Sequence, residues 1–268
     1  MGFAQILDAA ATTNLLGIRL ALHDRELARR YMSRCLRLFD ELMGRGLPGK
    51  DPVQFLYEQR WARFSPDNNV LVPPLLGAEG GTQLDEQVYL ATVTRVLRPQ
   101  KIFEIGTYMG RTTSLLILNA QPDTTVVSLD LPPEHTPDAA ANAEYIDTDL
   151  ELVRGRKLAY YVHQLGLASR YQQLLCDSLT FDPEPHRGTV ELGFIDGAHS
   201  RRYVENDTLK MATMTAERGL VFWHDYGGKG RFRPLTEYLE SLAGKITLYR
   251  VPNTSLAWTT ASELRKLA

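Results

Sequence analysis

The sequence predicts an α/β fold on a mostly parallel sheet, and three features predict it. From Lys101 to Asp130 a buried-strand pattern (Ile102, Phe103, Ile105), a glycine turn (Gly106 to Gly110), a helix (Arg111 to Asn119) and a second strand (Thr125 to Leu129) follow in order. Such a β-α-β unit joins parallel strands and leaves a ligand crevice at their carboxyl ends. Two later apolar strands, Val190 to Ile195 and Leu220 to Trp223, end on titratable groups, Asp196-Gly197-Ala198-His199 and His224-Asp225-Tyr226. Last, Ile246 to Val251 and Ser255 to Thr259 are joined by a Pro-Asn turn too short for a crossover, so that pair is antiparallel.

Residues 1–75 read as a helical extension and 76–268 as the α/β domain. From Asp24 to Arg45, Leu27, Tyr31, Cys35, Leu38 and Leu42 recur at helical steps, with arginines largely off the stripe, until Gly46. Pro48, Gly49 and Pro52 mark a turn, and QFLYEQRWARF gives a short helix before Pro73-Pro74. The extension reads as a helical cap packed on the domain, an oligomer interface, or a lid over substrate. Thr82 is placed to cap a helix over Gln83 to Leu97, with Asp85 three residues on, and Pro99 stops it.

After Asp130, the acidic, proline-broken stretch Leu131 to Arg154 is long for a loop in a compact domain and is expected to form an active-site flap. A helix over Arg156 to Gly166 and a third strand, Tyr171 to Cys176, follow. That strand ends on Asp177-Ser178, a pair that suits a turn as well as a ligand contact. Arg201 to Met214 is the helix after the fourth strand, the turn Glu217-Arg218-Gly219 precedes the fifth, and Pro234 to Ala243 is the last helix.

The glycine turn sets the ligand class. A dinucleotide fingerprint needs G-x-G-x-x-G, whereas here Glu104-x-Gly106-x-x-x-Gly110 has Tyr108 and Met109 in the middle, and no G-x-x-x-x-G-K-[ST] occurs. The turn is tight but flanked by carboxylates rather than built for phosphate. A ligand with a cationic amino acid end and a ribose fits it: S-adenosylmethionine, with Glu104 near its positive charge and Asp130 accepting its ribose hydroxyls.

With FEIGTYMGRTT, FIDGAHSRRYVENDT and GLVFWHDYG, the chain resembles the class I S-adenosylmethionine-dependent methyltransferases over about Thr82 to Thr260. Within them it is similar to the metal-assisted O-methyltransferases of macrolide, aminocoumarin and cephamycin biosynthesis. The resemblance implies a Rossmann-like seven-stranded sheet, five parallel strands plus an antiparallel hairpin. It implies cofactor contacts from Glu104, Gly106, Thr107, Tyr108, Gly110, Thr112, Asp130, Leu131, Asp177, Ser178 and Asp196. It also implies a divalent cation, Mg²⁺ or Mn²⁺, on Asp196, His224 and Asp225. His224 departs from members with an acidic residue there. Asp196, His199 and His224 are the expected catalytic groups, the histidines as proton acceptors.

Composition agrees with a small-molecule enzyme. The 268 residues are 44% hydrophobic with a net charge of −2, which favours neither nucleic acid nor an anionic membrane. Cys35 and Cys176 make no disulfide framework, no apolar run is long enough to span a bilayer, and the N-terminus does not read as a secretory signal, so a cytoplasmic protein is expected; the resemblance implies a homo-oligomer. Two other readings are a nicotinamide-dependent oxidoreductase, which Tyr108 opposes, and a non-catalytic partner subunit of the same fold, which retention of Asp196, His199, His224 and Asp225 together opposes.

Overall fold

Strand β1 (Lys101–Ile105) lies inside the sheet and is buried from its second residue on: Ile102, Phe103 and even Glu104 are fully enclosed. A parallel strand covered on both faces has this continuous rather than alternating character. The computed structural model describes residues 35, 44–62, 65, 68–73, 81–134, 156–228 and 232–268. Two compact units divide the chain, Met1–Pro48 and Gly49–Ala268. In the first, Cys35 is helical, while the rest of the periodic stretch from Asp24 lies outside the described residues up to 43. The expected flap over 131–154 is likewise undescribed from residue 135 onward.

The second unit holds a seven-stranded sheet in the order β3-β2-β1-β4-β5-β7-β6. Besides β1 it comprises β2 (Thr125–Asp130), β3 (Tyr171–Leu175), β4 (Val190–Ile195), β5 (Thr215–Trp223), β6 (Tyr249–Arg250) and β7 (Ala257–Thr260). Strands β1 to β5 pair in parallel, and β7 runs antiparallel to both β5 and β6. This is the Rossmann-like methyltransferase architecture expected from the sequence.

Among the described residues the α-helices of this unit are α1 (Pro52–Glu58), α2 (Leu84–Leu97), α3 (Arg111–Asn119), α4 (Tyr160–Gln164), α5 (Arg201–Met214), α6 (Arg233–Leu242) and α7 (Ala261–Leu264). Helix α1 starts on a proline and is capped by Asp51, whose Oδ1 accepts the amides of Val53 (2.8 Å) and Gln54 (3.1 Å). Its Phe55 and Leu56 join Leu90, Leu116, Phe194, Phe222 and Trp258 in one apolar core, so residues from Gly49 pack with the sheet. The opposite face is covered by α5. Gly193 of β4 makes room for Met211, whose Sδ would lie 2.7 Å from a Cβ there.

Local boundaries differ from expectation where tertiary packing intervenes. The helix after the expected flap is only Tyr160–Gln164, because Ala159 adopts a left-handed conformation that delays its start. Strand β5 begins at Thr215 rather than Leu220: Glu217-Arg218-Gly219 is a bulge within it, since Val190 pairs with Thr215 but Leu192 with Leu220. Gly219 is needed there, as an added Cβ would lie 2.9 Å from the Glu191 carbonyl oxygen. The N-cap of α2 is Gln83, not Thr82. Its amide donates to Glu86 Oε2 at 2.7 Å, so Glu86 and not Asp85 closes the box.

Candidate active site

The backbone ladder continues one residue past the ends of the strands and lines up the groups that carry the chemistry. Gly106 N–H donates to the Leu129 carbonyl (2.8 Å), Asp196 N–H to that of Ile105 (2.8 Å) and His224 N–H to that of Ile195 (3.1 Å). Asp130, Gly106, Asp196 and His224 therefore stand at one level across β2, β1, β4 and β5. Side chains at one level of a pleated sheet share a face. Gly106 must lack a side chain, because a Cβ would sit 2.1 Å from the Asp196 carbonyl oxygen and its φ is +103°. The row is thus open in its middle, with carboxylates on both sides.

Below the opening lies Glu104. Its Oε2 accepts Ser128 Oγ–H at 2.6 Å and Thr113 Oγ1–H, while its buried Oε1 has no hydrogen-bond partner. Burial pushes its pKa up to about 8, against the pull of Ser128 and Thr113 and with a contribution from Asp196 and Asp130. Without ligand it holds a proton at neutral pH. An orphaned carboxyl oxygen under a side-chain-free turn suits an approaching ammonium, so the residues present fit the amino acid end of S-adenosylmethionine.

The expected ribose acceptor, Asp130, is already engaged. Its Oδ2 accepts Tyr108 N–H (2.7 Å), and its Oδ1 accepts Leu131 N–H (2.7 Å) and Arg156 Nη2 (3.0 Å). Burial raises its pKa, opposed by the Arg156 charge and these amides. A carboxylate has about four acceptor sites, so a ribose hydroxyl would share this one with the donors already on it, the Thr107 amide among them. The first of these bonds holds the Tyr108 backbone in the left-handed region, φ +47°. Gly110, φ +76°, opens α3 and packs against Val162 of α4. Thr107 binds Ser128 Oγ (2.6 Å) and Gln173 Nε2 (2.9 Å), and Thr112 faces Thr82 (3.4 Å between hydroxyls).

Asp177 forms a turn with both oxygens committed, to Leu179 N–H (2.9 Å) and Tyr203 Oη–H (3.0 Å). The carbonyl of its neighbour Ser178 accepts Asn206 Nδ2 and Lys210 Nζ. Leu131, Leu179 and Ala198 pack on Tyr203 in a small apolar patch beside this turn.

At the other end of the row four expected residues converge with one that was not expected. His224 Nδ1 lies 3.1 Å from Asp196 Oδ1 and 3.3 Å from Asp225 Oδ2, and its Nε2 lies 3.0 Å from Glu86 Oε2. Burial alone would push the His224 pKa down. The charges of Asp225, Asp196 and Glu86 outweigh it and hold the ring well above the ordinary histidine value. In that state both ring N–H groups donate, so the ligand and base roles expected of His224 would require the ring to give up a proton first. His199 takes the neighbouring place: its Nε2 lies 3.1 Å from Asp225 Oδ2, and its ring meets Phe232 edge-on. Asp196, His199 and Asp225 each offer a ligand atom, all within 4.8 Å of one another. Two carboxylates and an imidazole suit a divalent cation such as Mn²⁺ or Mg²⁺.

Asp225 sits at φ +62°, a left-handed conformation Asp tolerates better than most residues, with its carboxyl pKa driven down by His224 against burial. Trp223 and Tyr226, on either side, are core: the indole N–H donates to Thr208 Oγ1 (3.0 Å) and the phenol to Glu240 (3.3 Å). Glu86 was missed because its signal, an acid in the first turn of a helix, reads as a cap. The capping register, shifted by one, is what would have found it.

Residues 103–226 match the family model of a methyltransferase domain. No curated protein matches the chain. Among solved structures, cofactor-bound Rv0187 from MTB superposes with a TM-score of 0.50 at 14% identity, covering 80% of this chain and 91% of that one. The methyltransferase PaMTH1 of Podospora anserina, bound to SAH, superposes with a TM-score of 0.51 at 14% identity, covering 88% and 95%. At such identities the likeness speaks for the fold.

Proposed function

We propose that this class I S-adenosylmethionine-dependent methyltransferase methylates a hydroxyl oxygen of a small molecule, with a divalent cation held by Asp196, His199 and Asp225. The observation that carries the reading is the convergence of those three ligand groups at the level of Gly106, beside the opening where a methyl donor would lie. A cation there supplies positive charge that acidifies an acceptor hydroxyl. The protein's own residues do the rest: Glu104 and Asp130 hold the donor's ammonium and ribose, and the left-handed turn at Tyr108 keeps the backbone clear of it. The charged ring of His224 fixes the orientation of Asp196 and Asp225 without entering the ligand set. In the reaction the sulfonium–methyl bond breaks as the oxygen–methyl bond forms, and the hydroxyl proton leaves to solvent.

The preference for oxygen over nitrogen rests on the cation, since a hydroxyl needs acidifying and an amine does not. The acceptor is proposed to be a small molecule, consistent with the near-neutral chain. Among the described residues no helix is long and apolar enough to cross a membrane.

Calorimetric titration with S-adenosylmethionine, then a screen of hydroxyl and amine acceptors for S-adenosylhomocysteine release with and without chelator, tests the reading. The expected result is cofactor binding and chelator-sensitive methylation of hydroxyl compounds. Turnover of amines at full rate in chelator would reject the metal-assisted part, and no cofactor binding by folded protein would reject the whole. Asp225→Asn, which keeps the side chain's shape and tolerance of φ > 0, is expected to lower activity at least about 100-fold while cofactor affinity stays within about threefold.

A further inference from the structure

Resting on that metal-assisted reading, we infer that Glu86, on a helix outside the strand-end motifs, is a positioning residue for the cation site, acting through His224. Glu86 is buried and binds three separate parts of the fold. Its Oε2 accepts the Gln83 amide (2.7 Å) and His224 Nε2 (3.0 Å), and its Oε1 accepts the Ser255 amide (2.8 Å) and hydroxyl (2.5 Å). The last two contacts come from the turn between β6 and β7, so the carboxylate is fixed both from its own helix and from the segment that leads into the neighbouring strand β7.

So fixed, Glu86 dictates the angle of the His224 ring. The ring's other nitrogen then points between Asp196 Oδ1 and Asp225 Oδ2, at 3.1 and 3.3 Å. Those carboxylates belong to different strands, and their nearest bond in common is this imidazole. Ligand groups held by outer hydrogen bonds lose about 10- to 100-fold in metal affinity when those bonds are removed. The carboxylate is also a permanent charge. Although burial pushes its pKa up, the pull of His224 and the bonds from His224, Ser255 and Gln83 bring it down to about 2.

Glutamine cannot replace it. Each Glu86 oxygen receives a backbone N–H, so an amide in either orientation sets one N–H against another. The test is Mn²⁺ titration followed by electron paramagnetic resonance, on the full chain without acceptor, for wild type, E86Q, E86D and S255A, with S-adenosylmethionine affinity measured alongside. Glu86→Asp keeps the charge and the helix start but withdraws the oxygens from the ring, covering the case in which E86Q does not fold. Ser255→Ala removes one of the bonds that hold Glu86 but keeps the Ser255 and Gln83 amides and the His224 contact in place, so it separates loss of that contact from a general loosening of the helix.

The expected result is Mn²⁺ affinity lowered about 10- to 100-fold in E86Q and E86D, near wild type in S255A, and cofactor affinity unchanged in all. Wild-type Mn²⁺ affinity in E86D, or an equal loss in S255A, overturns the role of Glu86 while leaving the cation site standing. Absence of Mn²⁺ binding by the wild type, with cofactor still bound, instead removes the metal-assisted reading and this inference with it.

Discussion

Gly106 and Glu104 show how single residues make the cofactor crevice. Gly106→Ala would drive a methyl group into the Asp196 carbonyl at a φ that L-residues avoid. The expected outcome is loss of at least about tenfold in S-adenosylmethionine affinity together with lowered thermal stability. Glu104 makes a different prediction, because its proton is held to about pH 8 by burial. An ammonium arriving at Oε1 favours the carboxylate, so cofactor binding should expel that proton and affinity should rise with pH up to about 8. Calorimetry in two buffers of different ionisation enthalpy measures the expelled proton. Glu104→Gln should abolish it, and equal heats in both buffers for the wild type would count against the ammonium site.

At the scale of elements, α1 is the instructive case. It lies in the stretch read as a separate extension, yet Leu56 is fully buried among sheet and helix residues. Leu56→Ala should therefore cost about 2–5 kcal/mol of the stability of the α/β unit, and Asp51→Ala, which removes the cap, about 1 kcal/mol. Urea unfolding distinguishes both from a detachable extension, whose loss would leave the midpoint of the main transition unmoved. The example marks what was legible. Strands β1, β2 and β4 and helices α3 and α5 were readable because local pattern and tertiary role agree: apolar runs ending on acids, then helices opened by Gly110 or Ser200. The bulge at Glu217-Arg218-Gly219 and the late start of α4 were not, since each depends on a partner backbone distant in sequence. The same holds within the site. Asp196, His199, His224 and Asp225 announce themselves at strand ends. Glu86 pairs with His224 across 138 residues, and the charge state it helps impose on that ring has no signature in either segment alone.

For the whole molecule, gathering so many carboxylates at one sheet edge ties stability to pH. Asp207, buried on α5, has its pKa raised to about 6 by burial, against the pull of Ser178, Asn206 and Lys210. Glu104 is raised to about 8. For both, the folded chain keeps a proton that the unfolded chain has released, Asp207 between its ordinary 3.8 and 6 and Glu104 between 4.5 and 8. Stability then falls as pH rises through those windows. The Asp207 shift corresponds to roughly 3 kcal/mol at about 1.4 kcal/mol per unit. His224 acts in the same direction: raised by its carboxylates, it contributes stability fully present below 6.5 and lost as pH passes its folded pKa. Glu86 acts in the opposite sense, contributing stability present above 4.5 and lost as pH falls through about 2. Stability should therefore be greatest near about pH 4 to 4.5, where the Glu86 contribution is nearly complete and the losses from Asp207 and Glu104 are only beginning, and decline on the alkaline side, so the unfolding temperature at pH 5.5 should exceed that at pH 8.5. Asp207→Asn, neutral at every pH, should flatten the decline between pH 4 and 6 and leave the Glu104 portion above it. A wild-type unfolding temperature that climbs from pH 5.5 to 8.5 would mean that these buried acids are ionised in the folded protein, with counter-charges or water at Glu104 Oε1 and Asp207 Oδ2, both buried carboxyl oxygens without a hydrogen bond.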